Sequence, residues 1–100
     1  MELEQEIMSL ILYGGNAKGL AIEALRAAKE GNFEQADQFL EEADSNMNEA
    51  HSTQTKLIQA EIRGESVQLS LLMVHAQDHI MNAITTVDLC REIIEILRSK

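Results

Sequence analysis

Residues 69–97 read LSLLMVHAQDHIMNAITTVDLCREIIEIL, and their apolar side chains recur at alternating steps of three and four positions. This spacing places them on one face of an α-helix, because an α-helix completes a turn every 3.6 residues. A face of this kind that persists over four heptads is typical of helices that pack as in a coiled coil. The buried face predicted for this stretch comprises Leu69, Met73, Ala76, Ile80, Ala83, Val87, Cys90, Ile94 and Leu97.

The rest of the chain carries the same pattern twice more, and a glycine lies in each break between the segments. Gly31 and Gly64 favour the left-handed backbone that ends a helix. We therefore predict helices over residues 3–30, 33–62 and 67–98, and short connections make consecutive helices antiparallel. The buried faces predicted for the first two helices are Leu3, Ile7, Leu10, Gly14, Ala17, Ala21, Ala24 and Ala28, and Ala36, Leu40, Ala43, Met47, Ala50, Gln54 and Leu57.

Length and composition favour an all-α protein, an up-down-up three-helix bundle that forms one domain over residues 1–100. The chain has no proline and only three aromatic residues, which favours helices over sheets. Its net charge of −9 disfavours nucleic acid as a partner and favours a protein with a basic surface. We expect a cytoplasmic protein without membrane insertion, since no apolar run could span a bilayer, the N-terminus is acidic, and the single cysteine fits a reducing compartment.

Glycines also occur inside the first predicted helix, at Gly14, Gly15 and Gly19. Each costs about 1 kcal/mol of helix stability relative to alanine. Two compatible interpretations remain open. The glycines kink or interrupt the helix, or Gly15 and Gly19, which share a face, let another backbone come close.

The third predicted helix has a second apolar stripe, roughly opposite the first. A terminal helix of a small monomer needs only one buried stripe, so the second indicates self-association through this helix. The alternative is a single wide core with some exposed apolar side chains. The second stripe consists of Val67, Leu71, Val74, Asp78, Met81, Thr85 and Leu89.

Asp78 is the one charged residue of this second stripe. A carboxylate among apolar side chains is costly unless it is paired or bound to a metal. If a cyclic oligomer placed the stripe on its axis, the Asp78 carboxylates would converge and could recruit Mg²⁺ or a similar hard cation. The alternative is an Asp78 at the edge of the stripe, solvated or paired with a basic side chain.

His75 falls between the two stripes, at the rim of the predicted interface, and His79 follows one helical turn later. Three interpretations of His75 remain open from spacing alone. It is a surface or core histidine without chemistry, it chelates Zn²⁺ together with His79, or it is a nucleophile that carries a phosphoryl group. His51 is predicted to be a hydrogen-bonded structural histidine, and Cys90 a small core residue without chemistry.

Residues 71–81, LLMVHAQDHIM, resemble the IIA component of the lactose/cellobiose (N,N′-diacetylchitobiose) family of the bacterial phosphoenolpyruvate-dependent sugar phosphotransferase system. Residues 12–21, LYGGNAKGLA, and residues 48–58, NEAHSTQTKLI, are similar to that family's first and second helices. The resemblance covers nearly the whole chain. It implies a homotrimer of three-helix subunits.

The resemblance also implies functional roles within the His-Ala-Gln-Asp-His string. His75 would accept a phosphoryl group from HPr as a covalent phosphohistidine and pass it to a cysteine of the IIB component, which the IIC membrane channel couples to sugar uptake. Asp78 would bind a metal, usually Mg²⁺, on the trimer axis. Gln77 and His79 would support the phosphoryl site, Gln77 from a neighbouring subunit because it lies far from His75 around the helix.

Two alternatives belong to other classes of protein. The first is a structural helical oligomer with inert histidines. The second is a histidine phosphotransfer domain of two-component signalling. Such domains usually have a lysine and a glycine shortly after the histidine, where this chain has His79 and Ile80.

Overall fold

Three α-helices make up the computed structural model, which describes residues 3–100. They are α1 (Glu4–Lys29), α2 (Phe33–Ile62) and α3 (Leu71–Arg98), and residues 3–100 contain no strand. The molecule measures 51 × 19 × 17 Å. The predicted all-α bundle is thus confirmed, whereas the acidic start at Met1 and Glu2 lies outside the described residues.

The two predicted glycine breaks are confirmed as helix ends. Gly31 has φ 81° and Gly64 has φ 87°, a left-handed backbone that side chains with a Cβ rarely adopt. At the first break the N–H of Gly31 donates to the carbonyl of Ala28, and the N–H of Asn32 donates to that of Ala27. This pair of hydrogen bonds closes the end of α1, and the second break repeats it at the end of α2.

The third helix begins four residues later than the predicted residue 67. Ser70 caps it, because the Ser70 hydroxyl accepts a hydrogen bond from the backbone N–H of Met73 at 3.1 Å. Leu69 therefore precedes the helix and is 79% exposed, so its assignment to the buried face was wrong. Val67 packs against the core from a non-helical segment, and a periodic pattern does not distinguish such a residue from the first turn of a helix.

Contacts between side chains establish the predicted up-down-up order. Partners of residues farther along α1 lie earlier in α2, and partners of residues farther along α3 also lie earlier in α2, so α2 is antiparallel to both. Helix α1 packs extensively on both other helices, whereas α2 and α3 touch each other less. The pairs are Ser9–Thr53, Asn16–Asn46, Asp44–Arg91 and Asp37–Arg98.

The core follows the three predicted faces, with many alanines that let the helices approach closely. Within residues 3–100, every side chain classed as buried is apolar. Leu10, Ile80 and Ile94 are the largest of the fully buried ones. Helix α1 runs without interruption through its glycines, so the predicted interruption was wrong.

Close approach of two backbones does occur, but at Gly14. A Cβ added to Gly14 would lie 3.4 Å from the carbonyl carbon and oxygen of His79 and from the Cα of Ile80. A Cβ on Gly15 or Gly19 would meet no atom of the described chain within 4 Å. The expectation that Gly15 and Gly19 admit a neighbouring backbone was therefore wrong within the chain, and Gly14 is the point at which α1 rests on α3.

Candidate phosphoryl-transfer site

His75 and His79 lie one turn apart on the outer side of α3 and contact each other. Their Nε2 atoms are 3.1 Å apart, and the rings are nearly perpendicular, at 82° with centroids 4.5 Å apart. The contact is a hydrogen bond when one ring carries its proton on Nε2 and the other accepts with its Nε2 lone pair. His75 is exposed and His79 is half-buried, so a molecule in solution can reach the pair from the side of His75.

The backbone beneath His79 is held by α1. Gly14 packs against the carbonyl of His79 and the Cα of Ile80, and the Ile80 side chain is fully buried. The position of the outer histidine pair is therefore tied to the packing of α1 on α3, since a residue in close contact with a rigid helix cannot shift alone.

Gln77 points away from the histidine pair, as its position around the helix predicts. It is half-buried, and the Gln54 side-chain amide donates a 2.8 Å hydrogen bond to its Oε1. Within one chain Gln77 thus links α3 to α2 and does not join His75. Its predicted support of a neighbouring subunit's site stays a prediction.

Asp78 is exposed, and its Oδ1 accepts a 3.0 Å hydrogen bond from the Nδ2 of Asn82. It lies next to His79 at a small cavity of about 180 Å³. Three further residues line this cavity and had no predicted role at the site: Gly15, Lys18 and Asn82. Helical spacing could have placed Asn82 at the site, because it lies one turn beyond Asp78 on the same helix. It could not have placed Lys18, which belongs to the segment LYGGNAKGLA of a different helix.

Asp78 has few possible metal ligands around it within one chain. Within residues 3–100, no three His, Cys, Asp or Glu side chains come close enough together to hold a metal ion. The carboxylate of Asp78 is a hard oxygen donor that suits Mg²⁺, but one carboxylate with an amide neighbour does not make a site. Metal binding through Asp78 would need carboxylates from further copies of the chain.

The second apolar stripe is open to solvent in the single chain except at Val67, whose assignment to the stripe was wrong because it precedes α3 and packs against the core. Leu71 is 85% exposed, Met81 55% and Leu89 57%. These side chains lie on the same helix as His75 and extend over most of its length. Such a long apolar surface on a strongly charged small protein is typical of an interface.

The other two candidates play no part in this site. His51 is exposed and makes no side-chain hydrogen bond within residues 3–100, so its predicted structural role was wrong. Cys90 is buried in the core, and burial raises the pKa of its thiol, as expected for an unreactive packing residue.

None of the helices within residues 3–100 combines the length and the apolar character that a membrane-spanning helix needs.

Comparison with known proteins assigns the chain to a family. Residues 5–98 match the family model described as "PTS system, Lactose/Cellobiose specific IIA subunit". The chain belongs to this family of IIA subunits of the sugar phosphotransferase system. It is thus a phosphotransferase component, and neither an inert structural oligomer nor a two-component phosphotransfer domain.

Individual relatives agree with this assignment. The lichenan-specific phosphotransferase enzyme IIA component of Bacillus subtilis is 50% identical over 95 residues, which are 95% of this chain and 86% of that protein. The crystal structure of the cellobiose-specific enzyme IIA from Bacillus anthracis superposes with a TM-score of 0.94 at 46% identity, covering 99% of this chain and 91% of that one. The IIA(Chitobiose) chain of Escherichia coli, solved in complex with HPr, gives 0.83 at 38% identity, covering 99% and 96%.

Proposed function

We propose that His75 carries the phosphoryl group, accepting it from HPr and passing it to a cysteine of a IIB component. The observation that carries this proposal is the exposed imidazole of His75 with its Nε2 3.1 Å from that of His79. The E. coli relative solved in complex with HPr supports HPr as the donor.

The chemistry needs little from the protein beyond exposure and orientation. A lone pair on a ring nitrogen of His75 attacks phosphorus, a new N–P bond forms, and the N–P bond in phospho-HPr breaks with its electron pair returning to the imidazole of HPr. Nε2 is the nitrogen at the exposed contact, so we assign it as the nucleophile. His79 supports the site, because its own Nε2–H is placed to donate to a phosphoryl oxygen once His75 is loaded.

The partners share one surface in this proposal, because one nucleophile must meet both HPr and IIB. The net charge of −9 favours a basic surface on HPr and a weak, fast contact. We propose that the protein works in the cytoplasm as a single phosphocarrier domain, and that the IIC channel couples its cycle to uptake of a lactose-, cellobiose- or chitobiose-type sugar. Overlapping NMR footprints from HPr and IIB titrations are expected, and disjoint footprints would contradict a shared surface.

We also propose that three copies assemble through the second apolar stripe of α3. The exposure of Leu71, Met81 and Leu89 supports this, since burying them against a second copy removes apolar surface from water. In such a homotrimer the side-chain NH2 of Gln77 would support a neighbouring site, since the hydrogen bond from Gln54 occupies only its Oε1.

Asp78 would then face its two symmetry mates. Three carboxylates at short range repel one another, and a hard cation such as Mg²⁺ offsets this repulsion. The metal would be structural, with no part in phosphoryl transfer. An Asp78→Leu variant should remain trimeric in EDTA by light scattering, because it removes the converging charge. Dissociation of that variant into monomers would contradict the axial position of Asp78.

The phosphocarrier proposal is tested by incubation with phosphoenolpyruvate, enzyme I and HPr. The wild type should gain one acid-labile phosphoryl group per chain by intact mass. His75→Gln should gain none, whereas His51→Gln, which removes an exposed histidine of α2, should gain one. A phosphorylated His75→Gln variant, or an unmodified wild type, would contradict the proposal.

A further inference from the structure

We propose that His75 and His79 form a binding site for a borderline or soft divalent cation such as Zn²⁺, and that a bound cation blocks the phosphoryl-accepting nitrogen of His75. The site is distinct in position and in donor chemistry from any carboxylate site at Asp78. The inhibition of phosphoryl transfer by the cation rests on the proposed function of His75, whereas binding of the cation to the two histidines does not.

Geometry is the first support for this site. Two imidazole nitrogens bound to one tetrahedral zinc lie about 3.3–3.4 Å apart, because each Zn–N bond is about 2.0–2.1 Å long. The two Nε2 atoms are 3.1 Å apart in the unliganded pair. An opening of a few tenths of an ångström, with a rotation of both rings that turns their Nε2 lone pairs towards a common point, would give a chelating pair.

The protonation states also permit binding. The Nε2–H···Nε2 contact has one protonated and one free nitrogen. A shift of one ring to its other neutral tautomer moves that proton to Nδ1 and leaves two lone pairs directed at the same region. No proton is lost and no redox step is needed, so a cation in solution can replace the hydrogen bond between the rings.

The surroundings decide which cation binds. Imidazole nitrogen suits Zn²⁺, Cu²⁺ and Ni²⁺, whereas Mg²⁺ prefers oxygen donors. Lys18 and Asp78 share the cavity beside His79 and have opposite charges, so neither sign dominates locally. The net charge of −9 raises the local concentration of any dication. With two protein ligands, water molecules complete the coordination, so binding is reversible.

Occupation of this site and phosphorylation compete for one lone pair. A cation on the Nε2 of His75 removes the electron pair that would attack phosphorus, and it also takes the Nε2 of His79 that would donate to a phosphoryl oxygen. Free Zn²⁺ should therefore slow acceptance of the phosphoryl group, and a chelator should restore it.

The binding experiment titrates the full-length protein with Zn²⁺, and separately with Mg²⁺, while two-bond ¹H–¹⁵N spectra follow the histidine rings. Zn²⁺ should shift the Nε2 signals of His75 and His79 together, saturating at one ion per chain, and Mg²⁺ should leave them in place. His79→Asn should weaken Zn²⁺ binding at least tenfold, and His51→Asn, the matched control, should not. Unchanged affinity in His79→Asn, or shifts confined to His51, would overturn the site.

The competition experiment measures one step, transfer from purified phospho-HPr, with and without Zn²⁺. Wild type and His51→Asn should be slowed at the same Zn²⁺ concentration and recover with EDTA, and His79→Asn should need at least tenfold more Zn²⁺ for the same fractional slowing. Zn²⁺ binding without slowing would overturn the blocking role. Failure of phosphorylation without any metal would instead refute the proposed function and leave the binding result standing.

Discussion

The contact of Gly14 with α3 predicts that side-chain size at this one position controls both stability and the histidine pair. A Cβ at residue 14 would lie 3.4 Å from the backbone of His79 and Ile80, an ordinary van der Waals distance. Alanine therefore fits, and it adds helix propensity worth about 1 kcal/mol. We expect Gly14→Ala to raise the free energy of unfolding by up to about 1 kcal/mol.

A larger side chain at position 14 should have the opposite effect. The methyl groups of valine extend one further bond towards a backbone that cannot yield, and overpacking of this kind costs about 1–3 kcal/mol. Gly19→Val is the matched control, because a Cβ at Gly19 meets nothing within 4 Å and the same helix-propensity change applies. Gly14→Val should be less stable than Gly19→Val by about 1–3 kcal/mol.

Urea unfolding followed by circular dichroism, at equal protein concentrations, measures this difference. A second readout is the rate of phosphorylation from phospho-HPr. Displacing the backbone of His79 would disturb its contact with His75, so Gly14→Val should be phosphorylated more slowly than Gly19→Val. Equal stability of the two valine variants would refute the close approach of α1 to α3, and equal rates would refute its link to the histidine pair.

Three further predictions concern the start of α3, the core and the buried thiol. Ser70→Ala removes the cap on the Met73 N–H and should cost about 0.5–2 kcal/mol by urea unfolding, whereas Ser66→Ala, outside any helix, should be neutral within error. Ile80→Ala should cost about 2–5 kcal/mol, because its side chain is fully buried between the helices, and a loss below 1 kcal/mol would contradict that burial. Burial raises the pKa of the Cys90 thiol in the folded protein above its usual 9.0. The protonated thiol therefore contributes its full stabilisation of the folded state below pH 9, and this stabilisation is lost as the pH rises through the pKa of the folded state. Above pH 9 the unfolding free energy of wild type should therefore fall relative to that of Cys90→Ala, and parallel pH profiles of the two would contradict the shift.

Much of the fold follows from local signals in the sequence. The bounds predicted for α2 agree with the structure at both ends, because Asn32 caps its start and Gly64 adopts positive φ just past its end. The start of α3 could not be found in the same way. Val67 contacts the core without being helical, and its four-residue spacing from Leu71 mimics one more helical turn.

Those parts of the candidate site that lie on a single helix could be predicted from the sequence, and contacts between two helices could not. Spacing alone put His75 and His79 on adjacent turns, and the structure adds the 3.1 Å contact. Two features depend on a second helix: the close contact of Gly14 with the backbone of His79, and the hydrogen bond from Gln54 to Gln77. Such contacts depend on the relative rotation and height of packed helices, which a periodic pattern leaves open.

The most direct test of the phosphocarrier account is to identify the phosphorylated atom. ¹⁵N-labelled protein loaded from phospho-HPr should show phosphorus–nitrogen scalar coupling at the Nε2 of His75 and at no nitrogen of His79 or His51. Coupling at another histidine, or a phosphoryl group on an oxygen or sulfur atom, would contradict the account.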